Sequence, residues 1–166
     1  VSTYLKIRDY FPNSILLESS DFHSPENSFS FICIHPISHF KVNENKISIV
    51  YPNQKSEIFE CDENKNTINQ LQKYVSSFKP SNQSLPFKAQ GLYGYVSFDA
   101  LCYFDKFKSK PKKEDTAIPE IFYQFFECCI AINHFKNEAY IIKHEFDFDI
   151  PQTVTIDQIK NIIQTQ

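Results

Sequence analysis

The feature that most constrains the fold is a long apolar run at residues 121–134. Side chains at both alternating sets of positions in this run are apolar, and a strand of that kind needs cover on both of its faces. The run is therefore predicted to form a strand in the centre of a sheet. Asn137 then marks a turn, and residues 139–146 are predicted to return as an antiparallel strand.

Short segments with alternating side chains dominate the first part of the chain. Strands are predicted at residues 14–19, 28–33, 40–42, 46–51 and 56–61, with Pro36 separating the second strand from the third, and a further strand is predicted at residues 92–98. Strands that follow one another through short turns pair antiparallel. The first part of the chain is therefore predicted to be an antiparallel meander.

Two segments change to a helical period. The first carries its apolar side chains on one helix face, at Ile68, Leu71, Val75 and Phe78. The second has its stripe at Ile156, Ile159 and Ile163. Each is predicted to begin with a capping box, formed by Thr67 with Gln70 and by Thr155 with Gln158.

A short helix or turn is expected within residues 1–12, and a short helix at residues 99–104. The predicted fold class is α+β, with a largely antiparallel sheet and flanking helices.

Residues 105–119 are rich in lysine and lack an apolar pattern, so a solvated loop is favoured there over a basic interaction tail.

Composition excludes several classes of function. The net charge is −3 and Arg8 is the only arginine, whereas a dedicated nucleic-acid binder carries a basic excess. Gly91 and Gly94 are the only glycines, so phosphate loops and dinucleotide fingerprints are excluded. No apolar run approaches the ~20 residues of a membrane span, and no membrane partner is expected.

The cysteines favour a cytoplasmic protein. Their number is five, which is odd, and no two of them form a CxxC motif. Reduced, buried thiols are therefore expected.

The sequence also contains no methionine, so Val1 is not a translated start, and it stops at Gln166 inside a predicted helix. We expect a piece of a longer chain.

Residues that could perform chemistry are scattered. His35 and His39 have the spacing of a metal-binding pair on a helix, but their flanks read as strand and no third ligand lies nearby. His23, in the loop beside Asp21, is read as an ordinary loop histidine rather than a general base. Glu127 lies in the apolar strand, where a carboxylate must be paired, meet a lysine from a neighbouring strand, or sit on a partly exposed face. From the residues alone, no active site is evident.

The end of the first predicted strand is more informative. Glu18 and Ser19 follow an apolar run, and a carboxylate with a hydroxyl at that position could receive the ammonium and the hydrogen-bonding groups of a small zwitterion. The alternative is structural, with Ser19 or Ser20 capping the turn through Asp21.

Three motifs, in order, give the chain a resemblance to the N-terminal domain of anthranilate synthase component I. Residues 16–19 are similar to the family's LLES motif. Residues 91–95, followed by Asp99, are similar to its glycine–aromatic segment. Residues 119–134 are similar to a long strand that opens on proline and an acid and ends in an Asn-His turn. The resemblance covers about residues 15–146.

The resemblance implies a fold, a role and a set of partners. Residues 1–166 would form the N-terminal domain, with no catalytic residue, metal site or cofactor of its own. The complete subunit converts chorismate to anthranilate and pyruvate, with magnesium in a C-terminal chorismate-binding domain and ammonia from a glutamine amidotransferase subunit. Tryptophan would inhibit by binding where the two domains meet, and Leu17, Glu18, Ser19 and Ser20 would line this domain's half of that site.

Two alternatives remain open at this point. Aminodeoxychorismate synthase component I, of the folate pathway, shares this domain, and Glu18 with Ser19 does not separate the two enzymes. The other alternative is a module without a catalytic partner, which binds a small molecule or another protein.

Overall fold

The computed structural model describes residues 1–18, 28–61, 66–79, 87, 90–104, 118–150 and 154–164. The helices are α1 (Ser2–Tyr10), α2 (Asn66–Ser76) and α3 (Ile156–Gln164), with a 3-10 helix at Phe98–Tyr103. The strands are β1 (Ile15–Glu18), β2 (Phe29–Asn43), β3 (Lys46–Val50), β4 (Ser56–Glu60), β5 (Tyr93–Val96), β6 (Ile121–Asn133) and β7 (Glu138–Lys143). None of the helices within these ranges is long and apolar enough to cross a membrane.

The strands form an antiparallel sheet. Its order is β4-β3-β2-β6-β5, while β1 also pairs with β2 and β7 also pairs with β6. β1 runs against the first part of β2, so that Leu17 lies opposite Phe31 and Glu18 lies opposite Ser30. The predicted class, an antiparallel sheet with flanking helices, is confirmed. The apolar run becomes β6, in which most side chains are buried.

The chain divides into two compact units, and the first comprises residues 1–37, 87–89 and 126–166. Its buried core is made by α1, β2, β6, α3 and the residues just before α3. It contains Ile7, Ile32, Ile34, Cys128, Ile130, Val154 and Ile159. Of the predicted apolar stripe of α3, Ile159 is buried and Ile163 is half-buried against the core, whereas Ile156 is exposed. Lys6 of α1 donates a hydrogen bond to the carbonyl oxygen of Ile163, at 3.1 Å.

The second unit comprises residues 38–86 and 90–125. Its core contains Phe40, Val42, Ile47, Ile49, Tyr74, Ala100 and Ile121. Tyr74 projects from α2 and is wholly buried, and its hydroxyl lies 2.6 Å from Ser38 Oγ. Ser38 in turn donates to the carbonyl oxygen of Val50 at 2.6 Å. Burial raises the pKa of Tyr74, so this phenol stays neutral and holds α2 on the sheet.

The predicted break at Pro36 is wrong, because β2 continues through it. β1 pairs with β2 only as far as Cys33, and β3 pairs with it only from His39 onward. Pro36 therefore lies between the two ladders, where its missing N–H costs neither of them a hydrogen bond. His35, just before it, adopts a left-handed φ of 60° within the strand.

One of the two predicted capping boxes is confirmed. The backbone N–H of Thr155 donates to Gln158 Oε1 at 2.9 Å, and the N–H of Gln158 donates to Thr155 Oγ1 at 3.2 Å. These reciprocal bonds start α3. α2 instead begins at Asn66, one residue ahead of the predicted cap, and the Thr67 hydroxyl donates to Cys61 Sγ at 3.6 Å.

Candidate functional site

The residues predicted to bind an effector lie at the end of β1. Leu17 is half-buried and Glu18 is exposed. Ser19 and Ser20 lie outside the described residues, as do Asp21 and His23. Because successive side chains of a strand point to opposite faces, Leu17 and Glu18 lie on opposite sides of the sheet. A small ligand would contact both side chains only if it bound at the end of β1 and extended from one face to the other.

The side of Leu17 is aromatic. Its cross-strand partner Phe31 belongs to a group of half-buried rings that continues through Phe29 and Phe87 to Tyr140. Ring centroids are 5.1 Å apart between Phe29 and Phe87 and 5.2 Å apart between Phe87 and Tyr140. Such a surface offers the apolar contact that a flat aromatic ligand needs.

The side of Glu18 is polar. Its cross-strand partner Ser30 is buried, and the Ser30 hydroxyl lies 2.7 Å from Nε2 of His134. His134 directly follows β6, is itself exposed, and donates its backbone N–H to the carbonyl oxygen of Ser28 at 3.0 Å. The Glu18 side chain therefore shares one face of the sheet with the Ser30 hydroxyl, which contacts the His134 imidazole.

The turn that carries His134 is fixed by its own side chains. Asn133 Oδ1 accepts hydrogen bonds from the backbone N–H groups of Phe135, at 3.0 Å, and Lys136, at 2.9 Å. Sequence analysis marked this Asn-His turn as part of a family motif, but it did not connect His134 with Glu18. The link passes through Ser30, which lies on the next strand after Glu18 but 104 residues before His134 in the chain.

A second polar cluster surrounds Glu127, as the sequence led us to expect. Glu127 is wholly buried, and its carboxylate accepts hydrogen bonds from the backbone N–H of Val154 at 3.1 Å and pairs with Lys143 Nζ at 3.3 Å. His35 Nδ1 lies 2.7 Å from the same carboxylate. Lys143 is the neighbouring-strand lysine that the sequence analysis envisaged, whereas the His35 contact was not predicted.

The two histidines considered as metal ligands have other roles. His35 is engaged by Glu127, and the ring of His39 packs at 6.0 Å from that of Phe122. Burial, with a smaller contribution from Lys41, lowers the pKa of His39. Within the described ranges, no three His, Cys, Asp or Glu side chains are arranged to hold a metal ion.

The cysteines are free thiols. Cys128 and Cys129 point to opposite faces of β6: Cys128 joins the core of the first unit, and Cys129 Sγ lies 4.0 Å from Cys33 Sγ. The contact with Cys129 and burial raise the pKa of Cys33, and burial raises the pKa of Cys128 to about 12. Thiols of this kind are poor nucleophiles.

The glycine–aromatic motif has a packing role. A Cβ atom on Gly94 would overlap the carbonyl oxygen of Phe122 in the neighbouring strand β6, whereas a Cβ atom on Gly91 would meet open space. Gly94 is thus required for the close approach of β5 to β6.

Comparison with curated proteins identifies two relatives of the same name. No family model matches the chain. It is 25% identical over 145 residues to anthranilate synthase component 1 of Lactococcus lactis, covering 86% of this chain and 29% of that protein. It is 28% identical over 131 residues to the Saccharomyces cerevisiae protein of the same name, covering 78% of this chain and 23% of that protein.

A solved structure extends the likeness to the fold. Anthranilate synthase component I from Streptococcus pneumoniae superimposes with a TM-score of 0.51 at 17% sequence identity, over 90% of this chain and 29% of that one. The chain thus spans less than a third of the length of these relatives. In sequence and in fold, it resembles the N-terminal region of anthranilate synthase component I.

Proposed function

We propose that the chain is the N-terminal domain of an anthranilate synthase component I. The complete subunit would convert chorismate to anthranilate and pyruvate in tryptophan biosynthesis. The observation that carries this proposal is the similarity to two proteins of that name, which extends over 86% of the chain in one case. The agreement in fold with a solved structure of the same name supports it.

Within that subunit, we assign the domain a regulatory and structural role. Tryptophan would bind where this domain meets the catalytic domain, with Leu17, Glu18, Ser19 and Ser20 on this side of the site. The two surroundings of the end of β1 support this assignment, since one is aromatic and the other carries a carboxylate. An indole needs the first kind of contact and an ammonium group needs the second.

The chemistry itself is assigned elsewhere. The reacting groups and the magnesium ion would lie in a C-terminal chorismate-binding domain of the same chain, and a glutamine amidotransferase subunit would supply ammonia. Inhibition follows if tryptophan binds more tightly to an arrangement of the two domains that is catalytically poor. We place the enzyme in the cytoplasm, with no nucleic-acid or membrane partner.

The test is an assay of the complete subunit with chorismate, ammonia and magnesium. Formation of anthranilate that tryptophan inhibits is the expected result. Formation of aminodeoxychorismate would instead assign the chain to the folate enzyme. Turnover by residues 1–166 alone would contradict the division of labour between the domains, because this domain is expected to be inactive.

A further inference from the structure

We propose that His134, positioned by Ser30, completes the charged end of the amino-acid site. In this arrangement Nδ1 of the His134 imidazole donates a hydrogen bond to the effector's carboxylate, while the Glu18 carboxylate accepts one from its ammonium group. The proposal rests on the regulatory function proposed above and adds a residue, and a recognised group, to that site.

The register of the sheet brings together Glu18 and His134, the two residues that would bind the charged groups of the ligand. Glu18 lies directly opposite Ser30 on antiparallel strands, and side chains so placed have Cβ atoms about 4.5–5.5 Å apart. The Ser30 hydroxyl is 2.7 Å from His134 Nε2. Glu18 and His134 are thus both neighbours of Ser30. The ammonium and carboxylate of an α-amino acid are attached to one carbon atom, so a ligand at this place can engage both residues.

Ser30 sets the direction of the imidazole. Its hydroxyl is buried and uses the ring nitrogen Nε2 as its partner. When the hydroxyl donates to Nε2, the ring proton resides on Nδ1, which then acts as a donor. A negatively charged carboxylate favours this tautomer over the one in which Nδ1 is an acceptor.

The groups assigned to the ligand are not otherwise engaged in the described part of the chain. There the Glu18 carboxylate has neither a hydrogen bond nor an ion pair, and Nδ1 of His134 has no partner. Asn133 holds the turn through two backbone N–H groups, and the His134 backbone is bonded to Ser28. The imidazole is therefore pre-organised, which reduces the entropy lost on binding.

Side-chain replacements at residue 134 separate the two ring nitrogens. In the complete subunit, His134→Phe removes both, His134→Gln can supply a donor near Nε2, and His134→Asn can supply one near Nδ1. We expect His134→Phe and His134→Gln to raise the tryptophan concentration for half-inhibition by about 10-fold or more, because hydrogen bonds to charged groups are of that strength. His134→Asn should retain most of the sensitivity.

A ligand without the carboxylate gives the second measurement. Tryptamine keeps the indole and the ammonium group but lacks the carboxylate, so it should inhibit more weakly than tryptophan. The tryptamine concentration for half-inhibition should be the same in the wild type and in His134→Phe. Lys136→Gln, in the same turn, is the matched control and should leave the tryptophan curve unchanged. Turnover without effector should stay normal in Lys136→Gln, whose side chain is exposed and is not assigned to the site.

The outcomes distinguish this inference from the function on which it rests. A wild-type subunit that tryptophan does not inhibit would overturn both. A tryptophan-sensitive wild type with the same curve in His134→Phe would overturn only the role of His134. Equal losses for tryptophan and tryptamine would also overturn it, since they would indicate a distorted turn and not a lost contact with the carboxylate.

Discussion

Glu127 and Lys143 form an ion pair, 3.3 Å between Oε1 and Nζ, in which the carboxylate is wholly buried and the ammonium group is only partly exposed. Removing a carboxylate from water is costly unless it is paired and hydrogen-bonded. Glu127 meets that requirement with Lys143, His35 and the backbone N–H of Val154. The last contact ties the segment that leads into α3 to the centre of β6.

This arrangement predicts that Lys143→Met destabilises the protein. The substitution keeps the aliphatic stem but leaves the buried carboxylate without its cation, which typically costs about 1–3 kcal/mol or more. The free energy of unfolding, measured by urea titration, checks the prediction. Lys136→Met, on an exposed turn, is the control and should change stability by less than about 0.5 kcal/mol.

The double variant Glu127→Gln/Lys143→Met gives a sharper test of the same pair. It removes both charges, so it should be more stable than Lys143→Met alone, because no unpaired charge remains buried. If Lys143→Met were as stable as the wild type, the carboxylate would have to be satisfied by its other partners alone.

His39 predicts a loss of stability on mild acidification. Its pKa is lowered in the folded state by burial, so in the range below the ordinary histidine pKa of about 6.5 the unfolded chain binds a proton that the folded chain does not. The contribution of His39 to the free energy of unfolding is therefore fully present above the ordinary histidine pKa. It falls as the pH drops toward the lowered pKa of the folded protein.

The variant His39→Gln checks the sign of this effect. It should reduce the slope of unfolding free energy against pH between about pH 7 and pH 5. His144, whose pKa burial also lowers, should leave a residual slope of the same sign in that variant. A slope that steepens in His39→Gln would contradict the assigned direction.

The surroundings of the two glycines predict that replacement by alanine affects stability at Gly94 but not at Gly91. Gly94→Ala should destabilise the protein by at least about 1–3 kcal/mol, since the new methyl group meets backbone atoms of β6 that cannot rotate away. Gly91→Ala is the matched control and should be within about 0.5 kcal/mol of the wild type, because its Cβ would meet open space. Thermal unfolding of both variants measures the difference.

Local sequence patterns predicted much of this fold, but they could not predict contacts between residues that are far apart in the chain. The capping of α3 by Thr155 and Gln158 depends on residues within one turn, so the sequence was sufficient. The continuity of β2 through Pro36 depends on where the ladders to β1 and β3 end. No local pattern contains that information.

The candidate site shows the same division. The position of Glu18 at a strand end could be predicted from the apolar run before it. The proximity of His134 could not, because Ser30 and His134 are 104 residues apart in the chain and meet through the sheet. The sequence predicted that the carboxylate of Glu127, if buried, would be paired or hydrogen-bonded, with a lysine of a neighbouring strand as one option. Its contact with His35 was not predicted, because the two residues are 92 residues apart in the chain.

Ser19 gives the most direct test of regulation at the end of β1. It follows Glu18 and matches the serine of the LLES motif. A hydrogen bond to a charged ligand group contributes roughly 1.5–3 kcal/mol. In the complete subunit, Ser19→Ala should therefore raise the tryptophan concentration for half-inhibition by about 10- to 100-fold.

Turnover of chorismate without tryptophan should stay near that of the wild type, because Ser19 is assigned to the regulatory domain. Titrating tryptophan into the wild type, Ser19→Ala and Ser19→Thr makes the comparison, and Ser19→Thr should keep part of the sensitivity because it keeps the hydroxyl. Identical curves for the wild type and Ser19→Ala would leave Ser19 with turn capping as its role. A parallel loss of turnover would instead indicate a folding defect, which circular dichroism of the same samples would reveal.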